Sequence, residues 1–372
     1  MITRPDLRRY SRHLLIPEVG LPGQQRLARA RVLVVGAGGL GAPVLQYLAA
    51  AGVGRLGIVD DDTVDLTNLQ RQVIYATADV GRRKAHAAAE RVAALNPQVA
   101  VDAFPLRLDA TNARALVQPY DVVVDATDTF GARYLINDAC RLEGKPDVYG
   151  SIFRFDGQVS VFAPGGPCYR CVFPEPPPAG SVPTCAEGGV LGVLAGLVGT
   201  WQATEVLKLV LGIGRSLIGR LVLLDALDAR TREIALAVDP ACPLHGDRPR
   251  IFDVVAQPEA DGAAVPPTGA QLDAAELDDF LAAHPAARVL DVREPHETAL
   301  GPAPQAVHVP ATQLEARLHE LDTAREYVVA CRVGVKSAWA AGRLADAGFR
   351  RLHHLRGGLL AYAASRPDFE FF

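Results

Sequence analysis

The stretch RVLVVGAGGLG, residues 31–41, decides the fold. RVLVV (31–35) is a continuous apolar run between Arg31 and Gly36, the signature of a strand buried on both faces of a parallel sheet. The chain then turns on Gly36, Gly38, Gly39 and Gly41 into a helix reaching about Ala51, and a second strand follows near 56–59. A glycine turn between strand and helix gathers backbone N–H groups and a positive dipole end where phosphate can sit. Dinucleotide-dependent dehydrogenases share that signal, so the decision falls to the residues that come after it.

Working outward, helical spacing resumes at 84–95, and DVVVD (121–125) is another buried strand with a helix behind it. Strand and helix alternate through short connections, which implies an α/β, doubly wound, Rossmann-like sheet. From Gln158 the pattern changes: QVSVF and RLVLLD read as strands, separated by the Pro-rich loop PEPPPAGSVPT and a long apolar helix. Residues 246–269, rich in Pro, Gly, Ala and charge, read as a linker. Residues 270–372 form a second, smaller α/β pattern. Its strands are at 289–292 and 327–331, and its helices lie near 273–283, 312–321 and 337–347. The expected domains are therefore 1–245 and 270–372, with no internal repeat.

Bulk properties exclude several classes. The 372 residues are 49% hydrophobic and 22% charged, a globular composition. A net charge of -4, from 38 basic and 42 acidic side chains, argues against nucleic acid as the main partner. No apolar run reaches the roughly 20 residues of a membrane span. The best candidate, 188–211, is interrupted by glycines, Gln202, Glu205 and Lys208 and reads as a buried helix. The N-terminus lacks the apolar core of a signal peptide, so the expected location is the cytoplasm. Six cysteines in a reducing compartment are then metal ligands, nucleophiles or buried thiols rather than disulfides.

The second strand ends on Asp60, where an acidic residue can accept from ribose hydroxyls. It leads into DDTVDLTNLQRQ, which holds Asp62, Asn68, Arg71 and Gln72, and Lys84 follows. Hydride transfer has no use for such a cluster, whereas a triphosphate needs cationic and amide donors beyond one helix end. DATD supplies Asp125 and Asp128 as carboxylates for Mg2+. Cys168 and Cys171 (CYRC) and Cys242 with His245 (CPLH), 70 residues apart, have the spacing of a closed structural zinc site. No thioredoxin-like context surrounds CYRC, which disfavours a redox pair. Cys185, in TCAEGG after the Pro-rich loop, is placed to capture an activated carboxylate, or else is an inert helix-start residue. Cys140, within INDACRLEG, reads as a core thiol. Cys331 lies at a strand-to-helix turn, where amides and a dipole stabilise a thiolate or persulfide, and Arg332 and Lys336 add charge.

Taken together, GAGGLG, VDDDTVDLTNLQRQ, DATDTFGARYLINDAC and TCAEGGVLG resemble the ubiquitin-activating-enzyme-like adenylyltransferases of molybdopterin and thiamin biosynthesis (MoeB/ThiF/HesA). The resemblance covers about residues 5–245. It implies ATP at the glycine loop with Asp60, Asn68, Arg71 and Lys84 as ligands, Mg2+ on Asp128, and a homodimer in which Arg12 reaches the partner subunit's ATP site. It also implies that Cys185 links covalently to the carrier or to the incoming sulfur. The family has two C-x-x-C pairs, so His245 stands in for a fourth Cys in holding Zn2+. Thr129 occupies a position where many relatives have Asn. VLDVREPHE, the Cys331 loop and LRGGLLAYA resemble a rhodanese domain in which Cys331 carries the persulfide, with Lys336 where Arg is commoner.

The expected architecture is thus a doubly wound Rossmann-like adenylation domain with a zinc-bound antiparallel part, followed by a rhodanese domain. The expected activity is ATP-dependent adenylation of the C-terminal Gly-Gly of a ubiquitin-like sulfur-carrier protein. Sulfur transfer from a Cys331 persulfide follows, with thiosulfate or a cysteine-desulfurase persulfide as the donor. Catalysis needs alignment and charge neutralisation rather than a general base. Two rivals are a nicotinamide-dependent dehydrogenase and a non-catalytic carrier-binding protein. The pathway stays open between molybdopterin, thiamin, cysteine and tRNA thiolation.

Overall fold

The computed structural model describes residues 4–177, 188–256, 270–299, 301–366 and 369. The chain divides into two compact units, the larger holding residues 1–176 and 188–258 and the smaller built on 259–372.

The larger unit is an eight-stranded sheet in the order β3-β2-β1-β4-β5-β6-β7-β8. These strands are β1 (Arg31–Val35), β2 (Arg55–Val59), β3 (Ala100–Phe104), β4 (Val122–Asp125), β5 (Asp147–Phe153), β6 (Asp156–Phe162), β7 (Arg220–Asp225) and β8 (Arg230–Ala235). From β3 to β5 all pairs are parallel, and from β5 to β8 all are antiparallel. The apolar run of β1 serves both faces. Val32 and Val34 pack into one core with the helices Gly41–Ala51 and Gly192–Leu211, while Leu33 and Val35 pack into another with Phe130–Leu142. Burial on two faces is why no polar alternation marks this strand. The edge strands β3 and β8 are only partly buried or exposed, so their sequences carry weak signals, and neither is among the expected strands.

Among the described residues, one helix, Gly192–Leu211, is long and apolar enough to cross a membrane. It packs instead inside this unit, with Leu194, Ala195, Val198 and Val206 buried and Gln202 donating to the Asp125 and Val148 carbonyls. Residues 250–254 run along the second face, where Val254 joins the core and Asp253 meets Arg114 at 3.2 Å.

The smaller unit is a five-stranded parallel sheet in the order β11-β10-β12-β13-β9. Its strands are β9 (Ala270–Asp273), β10 (Arg288–Asp291), β11 (Ala306–His308), β12 (Tyr327–Ala330) and β13 (Leu352–Arg356). The helix expected near 337–347 spans Val335–Asp346. The residues between β12 and that helix form a loop.

Candidate adenylation, metal and sulfur sites

The order β2-β1-β4 places a crevice at the carboxyl ends of β1 and β4, where the connections diverge and α/β sheets bind ligands. Gly36 takes φ +93°, and a Cβ there would lie 2.6 Å from the Ala126 carbonyl oxygen. A Cβ on Gly41 would lie 2.0 Å from the Gly36 oxygen. Only glycine allows the loop to close this tightly, which brings the exit of β4, and hence Asp128, beside it. The space before Gly39 is bounded by Arg71 Cγ at 3.5 Å, and that before Gly38 by Gln72 Nε2 at 3.6 Å. The glycine loop, the LTNLQRQ segment and the β4 exit therefore converge, although they are far apart in sequence.

Side chains fix this crevice from below. Asp60 accepts from the Ala37 N–H (2.8 Å) and the Asp62 N–H (3.0 Å), and its burial pushes its carboxyl pKa up against the lowering charge of Lys84. Lys84, the first residue of the helix Lys84–Leu95, is 6% exposed and donates to the exposed Asp62 at 2.8 Å. Asn68 accepts from the Asp65 N–H at 3.2 Å, closing the cap of a short 3-10 turn, and Arg71 donates to the Thr67 carbonyl at 3.1 Å. Gln72 is buried, and among the described residues its Oε1 has no partner. Asp128 is exposed and precedes Thr129, which caps the helix Phe130–Leu142 by accepting from the Ala132 N–H. Asp125 is fully buried instead: its Oδ1 accepts from the Thr127 N–H and hydroxyl, and burial raises its pKa. Of the two DATD carboxylates, Asp128 is the one open to a cation.

Tyr75 was not visible to sequence reasoning. Its buried hydroxyl donates to the Ala37 carbonyl at 2.8 Å and lies 3.3 Å from that of Lys84. The available signal was weak: an aromatic residue with a polar tip just after the LTNLQRQ segment.

The four predicted metal ligands meet. Their ligand atoms all lie within 4.8 Å of one another, with Cys168 Sγ 3.9 Å from Cys171 Sγ and 3.7 Å from Cys242 Sγ, and Cys171 Sγ 3.3 Å from His245 Nε2. Tetrahedral zinc with bonds of about 2.3 Å sets sulfur atoms about 3.8 Å apart, so the donor set fits that ion. Burial, reinforced by its two thiol neighbours, pushes the Cys168 pKa up, so a cation is what would hold Cys168 as a thiolate. Burial also lowers the His245 pKa, which keeps the imidazole neutral, its ligating form. Cys140 stands apart, buried in the core with its thiol pKa raised by burial.

In the smaller unit, Cys331 follows β12 and is 1% exposed. Its sulfur accepts from the Gly334 N–H (3.1 Å) and the Ser337 N–H (3.3 Å). Gly334 adopts φ +99°, which a side chain would strain, and this turns its amide toward the sulfur. The Gly334 carbonyl is held in turn by Ser337 Oγ at 2.9 Å and His354 Nε2 at 2.7 Å. Lys336 pairs with Glu297 at 3.0 Å, so part of its charge is spent inside the unit. Two amides aimed at one sulfur stabilise an anion on it.

Arg12 is exposed on the short helix Ser11–Leu14 and contacts Ser11 at 3.4 Å. Cys185 lies outside the described residues.

Residues 10–244 match the ThiF family. The chain belongs to that family. Residues 273–365 match the rhodanese-like domain. The chain is 46% identical to "Probable adenylyltransferase/sulfurtransferase MoeZ" of Mycobacterium tuberculosis, across 99% of this chain and 95% of that protein. It is 56% identical to the sulfur carrier protein adenylyltransferase of Thermus thermophilus over 68% of this chain and 96% of that one. To adenylyltransferase and sulfurtransferase MOCS3 of Bos taurus it is 42% identical, over 98% and 87%. A crystal structure of E. coli MccB with ATP superposes with a TM-score of 0.56 at 21% identity, over 64% of this chain and 73% of that one, a likeness of fold.

This ThiF-family chain is an enzyme with an adenylyltransferase and a rhodanese module. The dehydrogenase alternative falls with that assignment. The glycine crevice lies within the residues that match the ThiF family, and the Cys331 loop within those that match the rhodanese-like domain.

Proposed function

We propose that this enzyme uses ATP to adenylate the C-terminal Gly-Gly carboxylate of a ubiquitin-like sulfur-carrier protein, then converts it to a thiocarboxylate with sulfur carried on Cys331. The observation that carries this reading is the Cys331 sulfur cradled by the Gly334 and Ser337 amides in a chain whose other module is an adenylyltransferase.

In the first step a carboxylate oxygen of the carrier attacks the α-phosphorus of ATP, and the bond to the β-phosphate breaks to release pyrophosphate. The glycine-loop amides, Asn68, Arg71, Gln72 and Lys84 align the phosphates, and Asp60 accepts from a ribose hydroxyl. Asp62, exposed and bonded to Lys84, gives up that lysine to the incoming phosphates. Asp128 would hold Mg2+, which would supply positive charge to offset that of the departing pyrophosphate. In a homodimer, Arg12 adds charge to the partner subunit's site.

In the second step the terminal sulfur of a Cys331 persulfide attacks the acyl carbon and expels AMP. A second thiol, which we assign to Cys185, attacks the Cys331 sulfur. The S–S bond breaks, the thiocarboxylate leaves, and an external dithiol reduces the resulting disulfide. The donor that reloads Cys331 is thiosulfate or a cysteine-desulfurase persulfide, and the product serves molybdopterin or a related sulfur-containing cofactor. Zinc on Cys168, Cys171, Cys242 and His245 is structural, since four protein ligands fill a tetrahedron. We place the adenylation domain at 1–245, a linker at 246–269, the rhodanese domain at 270–372, and the enzyme in the cytoplasm.

The test is the intact mass of the carrier after incubation with enzyme, ATP, Mg2+, sulfur donor and dithiol. Replacement of one oxygen by sulfur adds about 16 Da. A carrier whose mass stays unchanged although it supports ATP–pyrophosphate exchange refutes the sulfur-transfer half.

A further inference from the structure

A buried ion pair outside the mechanism joins the metal knuckle to the helix that follows Asp128. Arg170, the third residue of CYRC, donates from Nε to Asp138 Oδ1 at 2.8 Å and from Nη2 to Asp138 Oδ2 at 2.7 Å. The two side chains are 4% and 0% exposed. The same two segments meet twice more. The Tyr169 N–H donates to Asn137 Oδ1 at 2.7 Å, and the Tyr134 hydroxyl donates to the Phe173 carbonyl at 2.9 Å. Tyr134, Asn137 and Asp138 stand at i, i+3 and i+4, so one face of the helix Phe130–Leu142 is bolted to the knuckle. The Arg170 guanidinium also lies over the Tyr134 ring, 4.6 Å from its centroid.

That helix starts at the Thr129 cap, directly after Asp128. From the first helical residue, Phe130, to Asp138 the axis runs about 12 Å. The other end of the linkage is the four-ligand cluster, because Cys168 and Cys171 flank Tyr169 and Arg170. Without an ion, only thiol and imidazole contacts and local packing join those cysteines to Cys242 and His245. Arg170 can then withdraw and leave Asp138 as an unpaired charge in the interior, an arrangement the helix relieves by shifting or fraying.

We propose that Arg170 is a positioning residue for Asp128: metal at the knuckle holds Arg170 on Asp138, and the bolted helix holds Asp128 where Mg2+ is bound. The proposal rests on the reading of Asp128 as the Mg2+ residue. It gives the zinc site a role in nucleotide chemistry beyond local cross-linking.

The experiment uses the full chain in zinc-loaded and chelated forms. Amide hydrogen exchange across 130–142 is measured, and the Mg2+ dependence of carrier-dependent ATP–pyrophosphate exchange is titrated. In the metal-free chain those amides should exchange about tenfold faster, and half-saturating Mg2+ should rise about tenfold while turnover at saturating Mg2+ stays within about threefold. Arg170→Met with stoichiometric zinc should show the same Mg2+ shift. The double variant Arg170→Met/Asp138→Leu, which removes the stranded charge, should return to within about threefold of wild type. Unchanged protection of 130–142 after chelation overturns the proposal, as does a folded Arg170→Met with wild-type Mg2+ dependence. Should that variant not fold, the chelated wild type decides. A zinc-loaded wild type with no carrier-dependent exchange would sink the adenylation reading instead, and the hydrogen-exchange arm would still judge the linkage.

Discussion

The Tyr75 hydroxyl donates to the Ala37 carbonyl at 2.8 Å, on the opposite side of a residue whose N–H is held by Asp60 at 2.8 Å. The Ala37 backbone is thus clamped from both directions at the start of the glycine loop. Tyr75→Phe keeps the ring and removes the donor. We expect a stability loss of about 1–3 kcal/mol, the usual cost of a buried acceptor left unmade, seen as a lower denaturant midpoint with unchanged m-value. The KM for ATP should rise in this variant while turnover at saturating ATP is kept. A variant with wild-type KM would show that the clamp does not shape the loop.

Asp128 is exposed beside the loop, and Arg71 lines its mouth at Gly39. Asp128→Ala and Arg71→Ala should each lower carrier-dependent ATP–pyrophosphate exchange by roughly 10²–10³, the loss typical of one electrostatic contact to developing charge. Their folded circular-dichroism spectra should match wild type, since neither side chain is part of the buried core. Exchange above about a tenth of wild type in either variant contradicts the assigned role.

Cys331 and adenylation belong to separate units. Cys331→Ser should therefore abolish sulfur transfer from any donor and leave ATP–pyrophosphate exchange intact, because adenylation uses no thiol. Cys185→Ser should keep both partial reactions and lower the yield of thiocarboxylate. Full thiocarboxylate from Cys331→Ser, read as the carrier's intact mass, would remove the rhodanese module from the mechanism.

Asp79 accepts from the Ala76 N–H and pairs with Arg91 and Arg82, bracing the segment before Lys84. The backbone bond, then the Arg91 bond, hold its pKa down at about 2. A depressed carboxylate stabilises the fold above its unfolded pKa of about 3.9, and that stability disappears as pH falls toward about 2. Asp79→Asn should thus be less stable than wild type at pH 7, with the gap closing between about pH 4 and pH 2. A gap that persists at pH 2 would show that the loss comes from packing.

Much of the fold was legible because its signals are local. Buried strands such as 31–35 and 122–125 announce themselves by unbroken apolar runs, and the Gly36–Gly41 turn by residues that alone tolerate the required closeness. The edge strands β3 and β8 were not legible, because a half-exposed strand needs no apolar pattern. The turn between β12 and the helix at Val335 was legible as a turn, but its geometry was not. It is set by the positive φ of Gly334 and by bonds to the sulfur.

The sequence by itself determined the doubly wound sheet, the glycine crevice, the Cys and His pairs and the cysteine on a turn, since each depends on neighbours within a few residues. Only the tertiary structure decided which charges meet. Lys84 and Asp62 are 22 residues apart, Arg170 and Asp138 are 32 apart, and Lys336 and Glu297 are 39 apart. An ion pair forms only at a few ångströms and acquires its strength from the burial around it, and both distance and burial exist only once the chain has packed.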